Sequence, residues 1–187
     1  SWITAENWTP NGSPSDNTIV IIPDASITPN DPVLPPFTAC GTITLKSGAI
    51  LNSGTDSQLT LNGSSGVWSN EGGTFNAGNS TVIFTNPNAT INGTTDFYNF
   101  TLNSSAAMIM STGSVTGIAG TLTNNGTLRA AFTPNTIEYN GSNQTLINPN
   151  GLTPGYYNLI LSSTGTKTLP SSGLNISGDF SMAGSAT

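Results

Sequence analysis

The chain has 187 residues, of which 6% are charged: three Lys/Arg against nine Asp/Glu, with no histidine and a formal net charge of −6. An ordinary soluble domain carries roughly 25% charged residues, and Lys46, Arg129 and Lys167 cannot neutralise a row of phosphates, so nucleic acid is excluded as a partner. Chemistry that needs an imidazole base or a histidine ligand is excluded as well, and no apolar run approaches the about 18 residues of a membrane-spanning helix, so no membrane insertion is expected.

The chain opens on Ser1 without a Met, a basic stretch or an apolar leader, which reads as a removed secretion signal or as a piece of something longer. Seven prolines (Pro10, Pro14, Pro23, Pro29, Pro32, Pro35 and Pro36) fall in the first 36 residues, so this segment is expected to be an irregular lead-in. Beyond it no window combines a 3.6-residue apolar period with good helix formers; SSAAMIMS at 104–111 comes nearest and is short. Short alternating runs separated by Asn, Gly and Ser predict strands instead: TIVII at 18–22, TITL at 42–45, QLTL at 58–61, TVIF at 81–84, FTL at 100–102, GTLT at 120–123, TIEY at 136–139, LILS at 159–162 and DFSM at 179–182. Twelve N-x-[S/T] triplets reflect the same turn and strand-edge chemistry, with glycosylation an option in a host that performs it.

From Thr18 to Asp179 the starts of these runs span 161 residues in eight steps, about 20 residues each, the period of one solenoid turn. A longer repeat is superimposed. TVIFTN at 81 aligns with TIEYNG at 136, FYNFTLNSS at 97 with YYNLILSS at 156, and VTGIAGTLT at 115 with LNISGDFSM at 174. Three turns then make a module, giving 18–80, 81–135 and 136–187 after a lead-in of 1–17. Alternation would turn Val82, Phe84, Leu159 and Leu161 inward and their neighbours to water. One turn cannot bury its own inner face, but turns stacked about 4.8 Å apart can. The low charge fits, because like charges at equivalent positions of successive turns repel whereas Thr, Ser and Asn stack. The expected fold is all-β, a single-stranded parallel β-solenoid occupying the whole chain as one domain; the alternative is an antiparallel β-sandwich.

The pattern T-[VI]-x-[FY], F/Y-Y-N-[FL]-x-[LI], G-x-[LF] is carried by Thr81, Phe84, Tyr98, Asn99, Leu102, Gly120 and Leu122, and again by Thr136, Tyr139, Tyr157, Asn158, Leu161, Gly178 and Phe180. Here the chain resembles the Gly/Asn/Thr-rich repeats of large secreted bacterial surface and adhesin-like proteins, as does its opening with Trp2, Asn7 and Trp8. The resemblance implies an extracellular β-solenoid with a structural or adhesive role, and brings no catalytic residues with it.

Candidate chemistry is sparse. The nine carboxylates (Glu6, Asp16, Asp24, Asp31, Asp56, Glu71, Asp96, Glu138 and Asp179) are dispersed, and Arg129 has no basic neighbour in sequence, which leaves a polysaccharide lyase as a third-ranked reading. Asp24, Asn30 and Asp31 could offer oxygens to calcium, but no calcium-loop motif contains them and they read as solvated loop residues. No serine has an activating base, so no catalytic, cofactor-binding or metal-binding residue is assigned. Cys40 reads as a small buried hydrophobe. In each of the pairs Phe97/Tyr98 and Tyr156/Tyr157 one ring should be core and the other surface.

The ends carry the functional expectation. Trp2, Ile3 and Trp8 form an apolar cluster ahead of the first turn, either a cap or a docking element, and the last strand brings Phe180 and Met182 close to the final residue with no cap after them. These five residues are the expected subunit interface, because an open end meeting a sticky one is a heterologous contact that grows a filament. The sequence therefore predicts a non-enzymatic, secreted structural protein, its partners other copies of itself, assembling head-to-tail into an extracellular fibre or surface filament. The alternative is an adhesin or carbohydrate-binding stalk segment of a larger surface protein, with surface glycans as partner and Tyr98 and Tyr157 as contacts.

Overall fold

In the computed structural model residues 1–27 and 30–187 are described; Pro29, one of the seven early prolines, lies outside the described residues. The chain winds into a parallel β-solenoid of about 8 turns of ~21 residues each. Every strand pair is parallel, which rules out the antiparallel sandwich.

Three walls enclose the core. The first wall is a six-stranded sheet of Ile19–Ile22, Thr42–Leu45, Trp68–Asn70, Ala89–Asn92, Ala107–Met110 and Thr127–Arg129. A second wall starts as Val33–Leu34, Ile50–Ser53 and Thr74–Asn76 and leads into a five-stranded sheet of Thr94–Phe97, Val115–Ile118, Thr136–Tyr139, Asn158–Leu161 and Phe180–Met182. The third holds Phe37–Cys40, Gln58–Leu61, Thr81–Phe84, Asn99–Leu102 and Leu122–Asn124. Before the first turn only a short 3-10 turn, Ala5–Asn7, interrupts an irregular segment, as the prolines require. SSAAMIMS gives the strand Ala107–Met110, because Met108 and Met110 alternate inward there.

The alternation in the sequence is the alternation in space. Gln58–Leu61, Thr81–Phe84 and Asn158–Leu161 each bury their second and fourth residues, among them Val82, Phe84, Leu159 and Leu161. Cys40 sits in the core, and burial pushes its thiol up to about 12. Mid-stack, aromatic rings bridge the walls: Trp68 meets Phe97 edge-on with centroids 4.9 Å apart and Phe75 at 5.1 Å, and Phe97 in turn meets Phe100 at 5.5 Å.

Polar groups inside the stack are satisfied from turn to turn. The Trp68 indole N–H donates to Thr95 Oγ1 at 2.9 Å. Asn70 donates to Thr94 O at 2.7 Å and accepts from the Gly73 N–H at 2.7 Å, tying one corner to the turn above. Further along, the hydroxyls of Tyr139 and Tyr156 lie 3.0 Å apart in the core, and Tyr156 donates onward to Ile147 O.

Candidate functional site

The expected repeat proves to be a three-layer ladder. Asn99 pairs with Thr81 on the turn before it, its amide N–H donates to Thr81 Oγ1 at 3.3 Å, and its Oδ1 accepts the Thr121 N–H at 2.9 Å from the turn after. The second copy repeats each contact: Asn158 donates to Thr136 Oγ1 at 3.4 Å and accepts from the Asp179 N–H at 2.8 Å. Glycine completes the unit. A Cβ on Gly120 would come within 2.5 Å of Asn99 Oδ1 and 3.0 Å of the Tyr98 ring; on Gly178 it would come within 2.4 Å of Asn158 Oδ1 and 2.9 Å of the Tyr157 ring.

This geometry fixes the role of the tyrosines. Phe97 and Tyr156 are buried, and Tyr98 and Tyr157 are half-exposed, each ring lying against the glycine of the following turn. Because Tyr98 precedes a strand of the third wall and Tyr157 one of the second, the two rings stand at different corners and do not stack on each other. Replacing Asn99 by Ala is expected to cost about 1–2 kcal/mol, and Gly120→Ala a similar amount. The two act on one set of contacts, so urea denaturation of the double variant should give less than their sum. Full additivity would show that the ladder is not one unit.

Chemical sites are few. Among the described residues no group of three or more His, Cys, Asp or Glu is placed to hold a metal ion. Asp24 accepts the Ser26 N–H at 2.7 Å, which holds its exposed carboxyl below the usual range. Lys46 and Glu71 form an exposed ion pair at 2.8 Å on successive turns. Lys167 was not singled out by its sequence context, yet it is buried. It donates to Gln144 Oε1 at 2.7 Å and to Gly141 O, while the Gln144 amide N–H groups donate to Ile118 O at 2.7 Å and Gly120 O at 2.9 Å. Burial lowers the pKa of this ammonium, against the opposing charge of Glu138. The cluster clamps three turns: the Gln144 amide uses both its N–H groups and its oxygen, and Lys167 uses two of its three N–H donors.

The ends differ. Trp2 is 2% exposed and lies in the core, its ring 5.2 Å from that of Trp8, which donates its indole N–H to Trp2 O at 2.8 Å. Both rings thus roof the first turn, and Ile3 is the member of the expected trio that stands exposed. At the other end Phe180 pairs in register with Leu159 and Met182 with Leu161, so both continue inward columns, yet each is 51% exposed. No sequence signal marks the cleft of about 700 Å³ between the lead-in segment and the strand Ile19–Ile22, into which the edge of the six-stranded wall opens, unpaired among the described residues. That strand is apolar at all four positions, so only the fold decides that Val20 and Ile22 go in and Ile19 and Ile21 out.

Compared with family models, with curated proteins and with solved structures, the chain finds no match.

Proposed function

We propose that this chain is a structural β-solenoid of the secreted, surface-exposed kind its repeats resemble, and that copies assemble end to end into a filament. One observation carries the reading: of eleven exposed large hydrophobic residues among the described residues, nine belong to the lead-in and the terminal turns, between Ile3 and Phe37 or between Leu169 and Met182. Along the turns between them, among the described residues, only Phe132 and Leu152 are exposed large hydrophobics. Apolar surface concentrated in the terminal turns of a polar rod, with Phe180 and Met182 on inward columns of the last one, favours end-on burial over association along the middle of the walls. Low charge supports the same reading, since a wall of Thr, Ser and Asn continues across a junction without like-charge repulsion.

Sedimentation velocity combined with negative-stain microscopy tests this. The chain is expected to form concentration-dependent rods one solenoid wide, and the paired substitution Phe180→Asp with Met182→Asp to return it to 19 kDa monomers with unchanged β circular dichroism. Because the chain carries a net charge of −6, added salt should promote assembly by screening repulsion between copies. Wild-type protein that stays monomeric from low to high salt over a wide concentration range would overturn the proposal.

A further inference from the structure

We propose that the cleft beside Ile19–Ile22 is the receiving half of the junction, and that it takes the strand Phe180–Met182 of a second copy as an added parallel strand. This rests on the end-to-end assembly proposed above and names the surfaces that make it. The backbone carries the reasoning. In a parallel strand, alternate residues turn both N–H and C=O to the same side. Thr18 O and Ile22 O accept from Gly41 and Lys46 of the second turn at 2.9 and 3.0 Å, so Ile19 and Ile21 aim their backbone groups the opposite way, toward the cleft. Neither has a hydrogen-bond partner among the described residues.

The far end presents the complement. Asp179 O accepts from Leu159 at 2.9 Å and the Ala183 N–H donates to Leu161 O at 2.8 Å, so Phe180 and Met182 turn their backbone groups away from the stack. Each edge therefore offers two residues, two apart, whose N–H and C=O have no partner among the described residues, and the same chain direction, which is the requirement for strand addition. Side chains match in the same register. With Ser181 beside Ile21, Phe180 aligns with Val20 and Met182 with Ile22, both inward columns, so the half-exposed pair at one end turns to the side that Trp2 and Trp8 roof. Ser181 and Ile21 then both face outward.

Disulfide trapping tests the contact. In a Cys40→Ala background, one batch carries Ile21→Cys and another Ser181→Cys, and the two are mixed under mild oxidation. Neighbouring residues of paired parallel strands lie within disulfide reach, so a mixed dimer is expected that neither batch yields alone. A second variant, Ile21→Pro, removes only the edge N–H and places a ring in the cleft, while Val20 and Ile22 keep their pairing to the second turn. It should fold, as judged by circular dichroism, and remain monomeric. Rods without the mixed disulfide, disulfides only between like batches, or an Ile21→Pro chain that assembles as the wild type does would each overturn the cleft assignment and leave end-to-end assembly standing. Monomers throughout, with no disulfide, would remove both.

Discussion

Replacing Trp68 with alanine is expected to lower the free energy of unfolding by about 3–5 kcal/mol, the range for an aromatic side chain deleted from a close-packed core. The indole is fully buried, pairs in register with Ile43 before it and Ile91 after it, and touches Phe75 and Phe97 of the second wall. Removing it leaves a cavity that three turns cannot close together, and it strips Thr95 Oγ1 of a buried donor. Trp68→Phe should cost less, because most of the apolar volume remains and only the N–H is lost. Since each turn of a solenoid contacts only its neighbours, the alanine variant should also loosen the coupling between the turns on either side. In urea the transition is expected to broaden and its slope to fall. A loss below about 1 kcal/mol with an unchanged slope would contradict the central place given to this ring.

Above pH 9 the fold is expected to lose stability steadily. Burial holds the Cys40 thiol, ordinarily near 9.0, up at about 12, and the Tyr139 hydroxyl, ordinarily near 10.0, also up at about 12 despite its hydrogen bonds to Tyr156 and Ile147. Tyr156 is raised as well, by burial first and then by its tyrosine neighbour. The sign follows from proton counts. At pH 10 to 12 the unfolded chain has released protons that the folded chain still holds, so stability falls as pH rises. Below pH 9 both states keep these protons and the contribution is complete. With its thiol held up at about 12, Cys40 alone accounts for roughly 4 kcal/mol of the decline between pH 9 and 12. Cys40→Ala should therefore move the onset of the decline up toward pH 10, where the tyrosines take over. Stability measured by denaturant titration that stays level to pH 11 would show that these side chains reach water in the native state.

Some strands were legible because of how many inward residues they carry. TITL, QLTL, TVIF and TIEY each place two apolar residues on the core side, and their observed bounds, Thr42–Leu45, Gln58–Leu61, Thr81–Phe84 and Thr136–Tyr139, are those read from the sequence. Ile50–Ser53 and Thr74–Asn76 bury one residue apiece, which is too little alternation to stand out from a loop. The step of about 20 residues is close to the turn length, but the strands it follows are not one per turn and change walls on the way, since Thr42–Leu45 and Gln58–Leu61 lie on one and the same turn. Thr42–Leu45 lies on the first wall, Gln58–Leu61 through Leu122–Asn124 on the third, and Thr136–Tyr139 through Phe180–Met182 on the second. The two copies of the T, Y-N, G motif consequently form the same ladder on different walls. Lys167 and Gln144 left no trace in the sequence, since they meet only because their turns are adjacent.

The sequence by itself determined that the chain is all-β, that it stacks in turns of about 20 residues, and which residues of each strong strand face the core. A strand's period of two is local, and four residues suffice to express it. Only the tertiary structure decided which wall each strand joins, that Trp2 roofs the core and does not stand exposed for docking, and that Ile19 and Ile21 leave an open edge above a cleft. The reason is cumulative. Paired residues on neighbouring turns are 18 to 25 positions apart, depending on the length of the intervening corners. Each corner displaces everything after it, so the place of a residue on the solenoid is set by the sum of all the corners before it.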